Sequence, residues 1–377
     1  MIDFATAASR FGLGARPDGI RPTDVRAALR AQLDRFEARP AFIAAAPTRA
    51  TVAGALADYL EVTRAYRQQV GTAGEGTANA KVMRAETQAM DASGAPTSET
   101  VQQALRASRK YAGQVARDQY IALVGARMNA ALTTEAPLVE RMVHFWANHF
   151  AISIDKLPVI GLGGLLEVEA IRPHVLGKFA DMLLAVERHP AMLLYLDQAQ
   201  SVGPHSRVGA ASAARGRRQV GLNENFAREI MELHTLGVRT GYSQADVTEL
   251  ARAMTGWTTA GITRGPMVRA LGVGRTPGEF VFAPAIHQPG ERQIMGRRSA
   301  AGGADQAERI MRDLAAHPAT ATHIATKLAR HFCGRCAAQV ARRPARRVLH
   351  GDRRRLACAI PRTDRSTRAR ATPARQV

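Results

Sequence analysis

The sequence predicts an all-α protein, a single large multi-helix domain with a small β-hairpin near residues 280–295. Three observations predict it. Apolar residues recur with helical spacing along most of the chain up to His331. Helix start and stop residues punctuate that pattern, such as Asp24 before one apolar run and Gly256 after another. The strand-like runs are few: Phe280-Val-Phe282 and Gln293-Ile-Met295 flank the turn residues His287-Gln-Pro-Gly290 and are expected to be the hairpin's two arms.

The elements follow in order. Phe4–Phe11 suits a short helix stopped by Gly12, Gly14 and Pro17, and Arg21-Pro-Thr-Asp24 opens a second with Val25, Leu29 and Leu33 on its apolar side. Val52–Val70 is another helical run. Residues 68–97 are rich in Gly, Ala, Thr and Gln with weak periodicity and are expected to be a flexible polar insertion. Ser98 starts a long helical stretch to about Leu132. Pro137–Phe150 is the clearest amphipathic helix. Leu138, Val139, Met142, Val143, Phe145, Trp146 and Phe150 share one arc, with Glu140, Arg141, His144 and Asn148 on the other. His149 falls inside the apolar arc, where a satisfied core histidine is the commoner outcome.

Gly161-Leu-Gly-Gly164 lacks both the strand–turn–helix setting and the lysine of a phosphate loop. Helices resume at Leu166–Ile171 and Leu176–Glu187, residues 198–220 read as a loop, and Asn223–Leu236 is helical. Ser243 and Asp246 form a capping box at the start of Gln244–Met254. The last two helices are Ala304–Ala315 and Pro318–Phe332, the second with Ile324, Leu328 and Phe332 spaced by four.

The net charge of +20 on 377 residues is unevenly placed. Phe332–Val377 holds all three cysteines and thirteen arginines against only Asp352 and Asp364, and the apolar periodicity stops there. Arginine, alanine and proline runs are what GC-rich coding DNA yields in a wrong frame. Permitted codons for Gly334–Ile360, read one nucleotide later, can restore a polar turn and amphipathic helix segments. Residues 1–332 are therefore expected to be the helical domain, and 333–377 an out-of-frame, disordered Arg-rich tail. Most of the basic excess lies in that tail, so no specific nucleic-acid binding is expected. Cys333-Gly-Arg-Cys336, a lone CxxC, is weak evidence for a redox or zinc site. No apolar run reaches membrane-spanning length and Met1–Arg10 has no secretory pattern, which makes the cytoplasm the default location.

Two segments carry the candidate chemistry. In the first, Glu140, His144 and Asn148 stack one turn apart, so that the carboxylate is expected to orient the imidazole and raise its basicity. In the second, Asn225, Arg228, Glu229 and Glu232 form one polar stripe, with Phe226, Ile230 and Leu233 opposite. His234 lies off the stripe and is expected to bond a carbonyl near the helix end. On spacing alone such a stripe is most often a solvated face held by weak ion pairs. There is no HExxH, no paired Glu-x-x-His and no GxSxG, so no metal ligand or cofactor-binding residue is assigned and the cofactor is left open.

These segments, together with Arg10–Pro17, Ile171–His174, His189–Asp197, Gly241–Asp246 and Leu250–Trp257, resemble the bacterial "domain of unknown function 1800" family over about residues 4–332. The resemblance marks Phe145–Phe150 and Asn223–Gly237 as hallmark segments, implies helices beyond Phe332 where this chain departs, and implies no particular reaction. Two function classes follow. One is an enzyme of unknown reaction, with Asn225, Arg228, Glu229 and Glu232 facing His144 and Asn148 across a cleft. There Glu229 or His144 would transfer a proton and Arg228 would hold an anionic group. The other is a non-catalytic scaffold or partner-binding protein whose polar residues form a buried network.

Overall fold

The computed structural model describes residues 4–16, 19, 21–71, 106–108, 110–215, 221–263 and 275–334. The chain is mostly helical, as its apolar spacing predicts. The insertion expected at 68–97 lies outside the described residues beyond Gly71, as does the tail from residue 335 on.

Helix α1 (Phe4–Phe11) buries Ala7 and Phe11 and ends where the amides of Gly12 and Gly14 both turn back to the Ala8 carbonyl. Helix α2 (Val25–Arg35) begins at Asp24, whose side chain accepts from the amides of Arg26 and Ala27, and it buries Leu29 and Leu33. After the single turn α3 (Ala41–Ala44) comes α4 (Arg49–Gly71), and α5 (Ala116–Thr133) follows a π-helical turn at Tyr111–Val115. Helix α6 (Pro137–His149) starts on a proline and turns the expected apolar arc inward, with Val139, Val143 and Phe150 wholly buried.

Next come α7 (Gly163–Leu166), a π-helical turn at Glu167–Ile171, α8 (Phe179–Glu187) and α9 (Pro190–Tyr195). The glycines near α7 serve packing. A Cβ on Gly164 would stand 2.7 Å from the Leu123 Cβ, so glycine is what lets α7 lie against α5. The stretch 198–220, expected as loop, instead carries a 3-10 turn at Gln198–Gln200 and helix α10 (Arg207–Ala214). The Ser206 hydroxyl caps α10 by accepting from the Gly209 amide, a start signal hidden in a Gly/Ala/Arg/Ser composition. Residues 216–220 lie outside the described residues.

Helix α11 (Asn225–Glu229) passes into a π-helical turn at Ile230–His234, and α12 (Gln244–Met254) follows with the predicted capping box. Both expected strands form, but not with each other. β2 (Phe280–Phe282) pairs antiparallel with β1 (Trp257–Thr259), and β3 (Arg292–Ile294) pairs with β4 (Arg297–Ser299). The reason is the turn chemistry. Met295 and Gly296 both take positive φ, 48° and 77°, which is what a tight two-residue hairpin turn demands. His287 is held elsewhere, bonded to the carbonyls of Thr255 and Gly302.

Helices α13 (Ala304–Ala316) and α14 (Pro318–Cys333) end the described chain. Ile324 is buried, and Phe332 stacks on Phe11 at 5.9 Å, so the last helix packs on the first. One core runs through α4, α5, α6, α8, α11, α12, α13 and α14 and includes Leu56, Leu123, Trp146, Leu183, Phe226, Leu250, Met311 and Ile324.

Asp246 has a second task besides capping: its Oδ1 accepts from the Met295 amide at 2.6 Å and ties the hairpin turn to α12. Burial alone would raise this carboxyl, but bonds from the Met295 amide and from the Ser243 hydroxyl and amide outweigh it and hold it below its usual value. Its stabilising contribution is therefore present above the unfolded carboxyl value near pH ~4 and lost as pH falls through the lower folded value. Asp246→Ala is expected to cost about 1–2 kcal/mol in urea unfolding near neutral pH. An unchanged midpoint would show that neither cap nor hairpin tie matters.

Candidate functional site

Two buried polar clusters flank α6. The first begins with Glu140, assigned from spacing to the polar side of the helix, yet only 1% exposed. Its carboxylate takes a two-pronged grip from Arg172, Nη1 to Oε1 at 2.5 Å and Nη2 to Oε2 at 2.9 Å. Arg172, equally buried, donates through Nε to the Ala38 carbonyl at 3.0 Å and lies over the Phe36 ring. Local backbone geometry places it there. The π-helical turn Glu167–Ile171 is followed by a 3-10 turn at Arg172–His174 containing Pro173. The same π turn directs Glu167 to the Arg127 guanidinium at 2.6 Å, and Glu169 to Arg49 at 2.7 Å and toward His189 at 3.4 Å. Burial pushes the Glu167 carboxyl up, against the pull of Arg127 and Arg172.

His144 stands beside this cluster, one turn from Glu140. Glu140 acts on the basicity of His144 in the expected direction but does not decide it. His144 is pushed down to about 4, first by burial and then by Arg127, with the Glu140 carboxylate opposing them and outweighed. Both Glu140 oxygens are already bonded to Arg172. The His144 Nε2 is buried with no hydrogen-bond partner among the described residues.

The second cluster joins the two signature segments. The π-helical turn Ile230–His234 ends at His234, whose Nδ1 donates to Oε1 of the wholly buried Glu187 at 2.8 Å. A π turn disturbs the regular i→i−4 pairing and leaves carbonyls to be satisfied from outside. The His234 carbonyl accepts from His149 Nε2 at 3.1 Å, and the Leu233 carbonyl from His323 Nε2 at 3.3 Å. These bonds fix the tautomer of His149, with the proton on Nε2 and Nδ1 free to accept from Lys327 Nζ at 2.7 Å. His149 is thus a satisfied core histidine, packed edge-on against Phe150 and Trp146. Burial first, then Lys327, keeps its imidazole well below the usual value. Sequence spacing assigned His234 a carbonyl partner; it takes a carboxylate instead, and its own carbonyl is the acceptor.

The polar stripe takes a different direction. Asn225 is exposed at the head of α11, its amide bonded to the Asn223 side chain. Arg228 donates to the Gln244 side chain at 2.8 Å and lies 3.8 Å from Glu224. Glu232 accepts from the Tyr242 hydroxyl at 3.3 Å, and Glu229 is half-buried. Arg228 and Glu232 therefore work between α11 and the start of α12, away from the cluster around His144, while Asn148 is exposed on α6. The two segments meet through His149, Phe150 and His234.

Arg172 and Glu187 were not among the candidates drawn from spacing. A signal existed for Glu187, an acid closing the apolar run Met182-Leu-Leu-Ala-Val186 and so falling on a buried face. Among the described residues no group of three or more His, Cys, Asp or Glu side chains could hold a metal ion, and no helix is long and apolar enough to cross a membrane.

His149 and His189 are both buried and held below the usual histidine value. The unfolded chain takes up protons on them near pH ~6.5 and the folded chain resists. Stability is therefore full above that value and falls as pH drops through it, by up to about 1.4 kcal/mol per pH unit for each. Urea unfolding at about pH 5.5 is expected to give a smaller free energy than at about pH 7.5. Equal values would exclude neutral burial.

No curated protein and no solved structure matches the chain. A family model described as "Protein of unknown function (DUF1800)" matches residues 6–358, running past Phe332 where the composition changes. With nearly the whole chain matched, and with Glu140–Phe150 and Asn223–Gly237 both inside the match, the chain belongs to the DUF1800 family.

Proposed function

We propose that this protein is a non-catalytic helical scaffold or partner-binding protein in which the polar residues of the signature segments hold helices in register. The carrying observation is the Glu140–Arg172 pair. Both side chains are 1% exposed, both carboxylate oxygens are bonded, and the remaining Arg172 Nε reaches a carbonyl on the chain between α2 and α3. A charge pair so enclosed is in no position to meet a solute, yet it tolerates only one relative placement of α6, the 36–38 segment and the π turn before Arg172.

The enzyme reading, with Asn225, Arg228, Glu229 and Glu232 opposite His144 and Asn148, draws less support. Arg228 and Glu232 are engaged with Gln244 and Tyr242. What favours it is the unpartnered Nε2 of neutral His144, a nitrogen able to take a proton. A nucleic-acid partner draws little support: Arg188, Arg298, Arg309 and Arg312 each pair with a carboxylate, which damps the field of the folded domain.

The scaffold reading predicts an asymmetry. Arg172→Met alone strands the Glu140 carboxylate and is expected to cost about 3–5 kcal/mol, whereas Glu140→Leu with Arg172→Met together recovers most of the loss. Chemical denaturation of the two variants reads this. A harmless single substitution would remove the register role. Weak activity lost with His144→Ala but kept in the recovered double variant would favour the enzyme instead.

A further inference from the structure

Lys327 stands apart from every other basic group described so far. The chain uses arginine for 47 of its 52 Lys and Arg residues, and arginine cannot lose its proton in a protein. Lys327, half-buried on α14, is one of the five exceptions. Among the described residues no carboxylate pairs with it; its hydrogen-bond partner is His149 Nδ1 at 2.7 Å. That nitrogen is an acceptor by construction, because Nε2 carries the proton given to the His234 carbonyl. An amine facing a neutral imidazole lacks the negative charge with which a carboxylate would hold its proton.

We propose that Lys327 is a carbonyl-binding amine, which forms a Schiff base with a small aldehyde or ketone bearing an acid group, and that His149 relays its protons only in passing. Burial also lowers the Lys327 ammonium below its usual value, in the direction the chemistry needs. The acid group is indicated by Arg330, exposed one turn further along α14 and likewise without a carboxylate partner among the described residues. The groups facing His149 beside Lys327 are His323 from α14 and His234 from the π turn, and Arg330 bears on His323. His323 is itself pushed down, mainly by burial and then by Lys327.

The step balances with His149 as carrier. His149 Nδ1 takes a proton from the ammonium, and the free amine attacks the carbonyl carbon to form the C–N bond. The oxygen receives that proton. Nδ1 then takes a second proton from nitrogen and delivers it to the hydroxyl, which leaves as water and gives the protonated imine. No oxidant or reductant is consumed, and covalent binding of this kind requires no turnover, so it goes beyond the scaffold reading without depending on it.

The test uses the full chain, glyoxylate as the probe and sodium cyanoborohydride to reduce the imine, with peptide mass mapping of every amine over time. Lys327 is expected to label several-fold faster than Lys110, Lys156 and Lys178, in the direction that burial of its ammonium gives. His149→Phe is expected to abolish that advantage while labelling at the other lysines is unchanged. Glycolaldehyde, which lacks the acid group, is expected to react more slowly at Lys327 than glyoxylate. Uniform labelling of the lysines in the unaltered protein, or a Lys327 rate indifferent to His149→Phe, would overturn the proposal.

Discussion

The buried ion pair between Glu140 and Arg172 is the constraint around which this fold is arranged. Neither charge could be hidden alone; isolated burial would shift or neutralise it. Held at 2.5 and 2.9 Å with a third bond to a carbonyl, the pair is tolerable at one geometry. That geometry fixes α6 against the turn that carries Arg172, and the apolar arc of α6 then has a defined face to fill. Glu167, Arg127, Glu169, Arg49 and His189 extend the pattern outward as partners of partners.

Two π-helical turns make these clusters possible. Each widens the helix by one residue per hydrogen-bonded ring, which re-aims the side chains that follow and disturbs the carbonyl ladder. At Glu167–Ile171 the result is a run of inward acids ending in Arg172. At Ile230–His234 the carbonyls of Leu233 and His234 are taken up by imidazoles from α14 and α6. The backbone irregularity and the histidine tautomers are one arrangement: the carbonyl that His149 Nε2 bonds belongs to the residue on which the π turn ends.

Much of the helical frame was legible in the sequence because it rests on local signals. The α6 arc, the Ser243–Asp246 box, the proline start of α14 and the ends of α13 are all set within a few residues. The Met295-Gly296 turn was equally local but went unread beside the louder His287-Gln-Pro-Gly290. The polar clusters were legible only in part. Spacing shows which residues share a helix face, but not what stands opposite. Glu140 read as the partner of His144 because nothing in its neighbours reveals Arg172, 32 positions away. Arg228 and Glu232 read as a site because their partners Gln244 and Tyr242 belong to the next element. A π turn, invisible to a fixed 3.6-residue period, hid the direction of His234.

The stacking of Phe332 on Phe11 carries a consequence for how the chain is made. Helix α1 is made well before α14, but one of its aromatic contacts is supplied by a residue more than 300 positions later. Eight residues are too few to hold helical form unaided in water. Until α14 is made, Phe11 can lean only on Leu29 and Leu138, and the aromatic cover over it is completed late.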